Sequence, residues 1–163
     1  MGEETTTGDP AVETAIGEAR VKAGELLASA QVGFLSLASE EGPYCVPISF
    51  AYDGEDIYFH GGEGKKSRAL EADPRACLTV TSDAKMTKGA TACKVNFQAA
   101  SVVAYGTVTC LVSAFEKDAG LRTLIAKYYP EQVASPLEPK QVERTTVYRM
   151  TLRAVTYREL PGD

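Results

Sequence analysis

The densest chemistry in the 163-residue chain lies in "IYFHGGEGKKSRAL", residues 57–70. His60, the only histidine, ends an apolar run; Gly61, Gly62 and Gly64 follow, then Lys65, Lys66 and Ser67. A strand that bends through glycines into a helix leaves backbone N–H groups uncovered, and the first N–H groups of a helix carry partial positive charge. Two lysines in that first turn oppose the helix dipole, and a bound anion would relieve the mismatch. The arrangement describes a phosphate site, with Ser67 as a further hydroxyl donor. The same residues read equally well as a solvated turn with surface lysines. The spacing is neither GxxxxGK[ST] nor GxGxxG. With no second phosphate cradle in the chain, a mononucleotide fits better than a dinucleotide.

Other chemistries are excluded more firmly. Cys45, Cys77, Cys93 and Cys110 are widely separated, so the paired ligand spacing of a zinc site is missing and no metal is expected. Cys45, Cys77 and Cys110 lie in apolar runs and are expected to be small core residues. One histidine and no nucleophile elbow argue against a hydrolase triad, and no catalytic residue can be named. A formal net charge of −5 disfavours nucleic acid, which requires a basic surface. No apolar run reaches the length of a membrane span, and "MGEETTTGDP" lacks the pattern of a signal peptide, so a cytoplasmic protein is expected.

The elements that must position this stretch follow from periodicity and punctuation. Residues 1–8 are expected to be a disordered leader, and residues 9–163 a single domain. Asp9-Pro10 reads as a helix start, with a helix to about residue 29. Strands are expected at 32–38, 44–52 and 56–60, the last two joined by an Asp53-Gly54 hairpin turn. Pro47 within the second strand points to an edge, a bulge, or a place where a ligand replaces a neighbouring strand. A short helix at 67–74 ends at Asp73-Pro74, and a strand follows at 75–82. Residues 83–90 read as an exposed loop, 93–113 as two strands or one long bent strand, and 114–130 as a helix. Residues 131–143 read as a polar connection and 146–160 as an alternating strand, with Arg149 and Arg153 on its solvated face. Six or seven mostly antiparallel strands with two or three helices favour a small closed or nearly closed β-barrel over a doubly wound sheet.

Residues 42–80 closely resemble the pyridoxamine 5′-phosphate oxidase-like superfamily of FMN-binding split barrels, in its nitroimidazole-resistance, NimA-like branch. The resemblance rests on Gly42, Pro43, Pro47, Phe50, Tyr52, Ile57, Tyr58, His60, Gly64, Lys65, Lys66, Asp73, Pro74 and Val80, and extends to "SVVAYG" at 101–106. It covers about residues 12–158.

The resemblance implies a mainly β split barrel that forms a homodimer with FMN at the subunit interface and acts as an oxidoreductase on a small-molecule substrate. Lys65 and Lys66 match the basic pair that contacts the FMN phosphate. Val46, Pro47, Ile48 and Ser49 match the strand along the flavin. His60 and Gly61 match the strand end beside the ribityl-phosphate, and Ser101 a flavin-proximal position facing the partner's cofactor. A non-catalytic flavin module, haem with His60 as an axial ligand, and deazaflavin are the lesser alternatives. Two departures count against oxidation of pyridoxamine phosphate itself. Ser101 stands where those oxidases carry glutamine, and "VTYRELPGD" offers no counterpart to their arginines for the substrate phosphate.

Overall fold

The computed structural model describes residues 10–87, 91 and 96–160. The expected leader, Asp9, Cys93 and residues 88–90 lie outside the described residues. In chain order the elements are α1 (Pro10–Ser29), β1 (Gly33–Ser39), β2 (Gly42–Ile48), β3 (Ala51–Tyr52), β4 (Asp56–His60), α2 (Lys65–Ala72), β5 (Arg75–Thr81), β6 (Lys85–Thr87), β7 (Asn96–Cys110), α3 (Ala114–Tyr128), a 3₁₀ turn (Pro130–Gln132), α4 (Pro139–Arg144) and β8 (Val147–Leu160).

The strands are antiparallel in the order β2-β1-β5-β7-β8-β4-β3, with β6 added to β7. The two ends of that order, β2 and β3, are consecutive in sequence and joined only by Ser49 and Phe50. One extended segment therefore pairs first with β1 and then with β4, and this exchange of partners closes the sheet on itself as a split barrel. The expected single strand 44–52 is two for this reason. Alternating residues fill the interior: Leu35, Leu37, Phe50, Ile57, Phe59, Leu78, Val80, Val102 and Met150 are all buried. Leu27 of α1 packs onto the same core.

At the crossover the backbone of Phe50 has no ladder partner, and buried peptide groups must find one. Tyr128, at the end of α3, supplies it. The Tyr128 hydroxyl accepts the Phe50 N–H at 3.0 Å, with the carbonyls of Phe50 and Gln31 at 2.9 and 2.7 Å as acceptors for its proton.

The Asp53-Gly54 turn forms as expected. Gly54 takes φ 108°, and Asp53 Oδ1 accepts the N–H groups of Glu55 and Asp56 at 2.9 and 2.8 Å. Pro47 lies in β2, which pairs with β1 alone, so the proline sits on an edge strand. The helix expected at 67–74 begins earlier, at Lys65, and stops at Ala72. There Asp73 turns its carboxylate to the backbone and guanidinium of Arg75, which hold that carboxyl down at about 2. The expected 83–90 loop contains β6, and the 131–143 connection contains a 3₁₀ turn and α4. Residues 96–110 form one 15-residue strand, long enough to pair with β5, β6 and β8.

The cysteine expectation is overturned. Cys45 and Cys110 are exposed and Cys77 is only half-buried. In β5 the inward positions are Ala76, Leu78 and Val80, so Cys77 falls on the outer face; in β2 the parity of Cys45 does the same. Arg149 is also not simply solvated. It is half-buried between Asp56 and Glu116, each 3.7 Å away.

Candidate functional site

The end of β4 and the start of α2 bring His60, Gly61 and Lys66 together. The Lys66 side chain folds back over the stacked rings of Phe59 and Tyr148, and its ammonium reaches the His60 carbonyl at 3.4 Å. Gly61 makes this possible, because a Cβ there would overlap the Lys66 ammonium. Lys66 is half-buried, and burial pulls its pKa below the usual lysine value. Among the described residues no carboxylate lies within 4 Å of it. A desolvated cation without a counter-charge is what an anionic group would stabilise.

Lys65 points elsewhere. It ion-pairs with Glu41 in the β1–β2 turn and lies 5.0 Å above the ring of Tyr44. With Arg68, Glu40 and Asp73 it lines a cavity of about 190 Å³ between that turn and α2. The two lysines thus do not converge on one point. Ser67 is buried, and its hydroxyl is used locally: it accepts the Gly64 N–H and donates to the Gly64 carbonyl, both at 2.9 Å. The Gly61 N–H is also engaged, by the Thr146 carbonyl at 3.1 Å. The amides left for an anion are those of Gly62 and Glu63 and those opening α2.

On its other side His60 is exposed and lines a cavity of about 420 Å³ with Ser49 of the crossover and Leu121, Ile125, Tyr128 and Tyr129 of α3 and the residue after it. Leu121, Leu124, Ile125 and Tyr128 recur at helical spacing and so share one face of α3. Nothing local signals what that face covers, because the α3–β4 contact joins segments some sixty residues apart.

Along the end of β2 and into the crossover, Val46, Pro47, Ile48 and Ser49 divide by parity. Val46 and Ile48 turn inward, so only their backbone is available at the edge, whereas Pro47 and Ser49 are exposed. Lys66, His60, Ser49 and Pro47 form one continuous path from a cation to an open strand edge. Ser101 does not join it. It pairs with Thr81 and Arg158 on β7, three strands from β2 and roughly 14 Å away at ordinary strand spacing. Ser101 belongs instead to the half-exposed outer surface of the sheet. Strand register sets Pro47, Phe34, Thr79 and Val103 in one row of that surface and Cys45, Ser36, Cys77 and Tyr105 in the next. None of these eight is charged, and Phe34 and Tyr105 are each 48% exposed.

A family model described as pyridoxamine 5′-phosphate oxidase matches residues 20–159. Comparison with curated proteins returns no match. Among solved structures, the chain is similar to a candidate 5-nitroimidazole antibiotic resistance protein from Bacteroides thetaiotaomicron, with TM-score 0.75 and 23% identity over 84% of this chain and 81% of that one. It is also similar to an FAD and haem binding protein from Mycobacterium smegmatis, with TM-score 0.79 and 20% identity over 88% and 72%. A flavocytochrome from Azotobacter vinelandii gives TM-score 0.75 and 21% identity over 86% and 67%. At these identities the likenesses establish the fold.

Proposed function

The chain belongs to the pyridoxamine 5′-phosphate oxidase family, and from that membership we propose that it binds FMN and acts as an FMN-dependent oxidoreductase on a small molecule, as a homodimer with the cofactor at the subunit interface. The observation that carries the reading is the half-buried Lys66 ammonium, without a carboxylate partner among the described residues, set where β4 turns into α2 beside the open β2 edge.

The residues present fit the group. Lys66 and the first amides of α2 offer charge and donors to a phosphate, and Lys65 joins them once its exposed partner Glu41 turns away. The backbone of Val46, Pro47, Ile48 and Ser49 offers an unpaired edge to a ring system, and His60 and Gly61 lie between the two. Ser101, on the outer face opposite Arg158, reaches such a site only from a second subunit. The flavin supplies the hydride and electron chemistry, while the protein binds, orients and shields it. His60, exposed at the cavity with Ser49, is placed to carry a proton to or from a bound substrate.

Titration of the purified protein with FMN tests this. We expect saturable uptake with flavin absorbance bands, and in Lys66→Ala a loss of affinity of about tenfold or more with an unchanged far-ultraviolet spectrum, the size of one charge-assisted phosphate contact. A preparation that fails to take up FMN overturns the reading, and a Soret band instead of flavin bands replaces it with haem. Turnover with a reduced nicotinamide separates an enzyme from a flavin-binding module.

A further inference from the structure

The largest cleft among those described lies between α1 and the β3–β4 hairpin with β8, and its volume is about 730 Å³. That is the size of a small-molecule site. It shares no lining residue with the cavities beside Lys65 and His60. Leu27 and Leu152 make part of an apolar floor, Tyr52 and Tyr157 flank it, and Arg20 and Arg153 stand on facing elements, one from α1 and one from β8. Glu55 is the single carboxylate of the lining. Neither guanidinium lies within 4 Å of it, or of any other carboxylate among the described side chains, which along α1 begin at Gly17. The adjacent Lys22, by contrast, is paired with Glu159 at 2.9 Å.

The strand is built irregularly to make this wall. Tyr105 pairs with Ala154 and Gly106 with Leu152, so Arg153 has no cross-strand partner. Such a bulge re-aims side chains. It also shifts the parity of everything beyond it: Val155 and Tyr157 fall opposite the buried Ala104 and Val102, on the side facing α1. An unbroken alternation from Leu152 would turn both outward and leave the cleft without its aromatic wall. Gly106 permits the bulge, since a Cβ there would overlap the Thr151 carbonyl oxygen.

We propose that this cleft is a second ligand site, for a small amphipathic organic anion. Its hydrocarbon part lies on the floor between Tyr52 and Tyr157, and its carboxylate is shared by Arg20 and Arg153, whose planar forks suit that group. In a chain of net charge −5, two guanidiniums without carboxylate partners among the described side chains, over an apolar floor, select an anion with a hydrophobic body rather than a simple ion.

Calorimetric titration of the full-length protein with 2-naphthoate tests the proposal. We expect saturable binding at one site per chain. It should be weakened about tenfold in Arg20→Gln and in Arg153→Gln, a factor set by losing one charge-assisted contact, and about a hundredfold for the uncharged 2-naphthalenemethanol, which loses both. Arg153→Lys, which keeps the charge and loses the fork, should fall between. Lys66→Ala should bind 2-naphthoate as the unaltered protein does. Absence of saturable heat up to about 1 mM, unchanged affinity in the double arginine-to-glutamine variant, or an equal loss in Lys66→Ala would each overturn it.

Discussion

Lys65 and Lys66 are neighbours in sequence and opposites in circumstance. Lys65 is exposed enough for its pair with Glu41 to contribute little, since solvent and salt screen surface ion pairs. Lys66 is half-buried and has no counter-charge among the described residues, so an anion gains more from it. Lys66→Ala is therefore expected to lower FMN affinity further than Lys65→Ala when the two are titrated side by side. Gly61→Ala offers a second check. The overlap it creates is with the mobile end of the Lys66 side chain, so the melting temperature should hardly change while FMN affinity falls. A third lysine, Lys127, lies with its ammonium 3.9 Å from the ring centre of Phe50 and 3.4 Å from the Leu27 carbonyl, and burial pulls its pKa down to about 8. The unfolded chain keeps that proton to about 10.5. Between these values the unfolded state binds more protons, so stability rises with pH. Urea midpoints should climb from about pH 8 to 9.5, before tyrosine ionisation intervenes, and Lys127→Met should flatten the climb.

Two elements owe their geometry to one residue each. The crossover at Ser49–Phe50 is held by the Tyr128 hydroxyl, so Tyr128→Phe strands the Phe50 N–H and should cost about 1–3 kcal/mol in denaturant unfolding. Because Ser49 is next in the chain and Tyr128 lines the His60 cavity, the same variant should also weaken FMN. The β7–β8 bulge is held by Gly106. Here the overlap is with backbone, which cannot step aside, and Gly106→Ala should destabilise by roughly 1–3 kcal/mol, in contrast to Gly61→Ala.

At the scale of the whole molecule, the two outer rows of the sheet that hold Phe34 and Tyr105 carry no charged residue and are partly exposed. A face of that kind is suited to burial against a second copy. Light scattering should give twice the 17.4 kDa chain mass. Phe34→Glu should give a monomer with weakened FMN binding, and a dimer unaffected by that change would place the interface elsewhere.

Features that depend on neighbours along the chain were legible in the order of residues alone. The Asp53-Gly54 turn, the strand–glycine–helix order around Lys66, the Asp73-Pro74 stop and the edge character of Pro47 are all local consequences of backbone sterics and alternation. The forty residues around them were sufficient to indicate the family. Tertiary structure decided whatever depends on which face meets which. It turned Cys45 and Cys77 outward, because parity within an apolar run is invisible until one side is packed. It separated Lys65 from Lys66, because their directions follow from what α2 packs on. It brought Tyr128 to Phe50 and Arg20 to the cleft that Arg153 lines, because contacts across some eighty to a hundred and thirty residues are fixed by the closing of the barrel and leave no mark on local spacing.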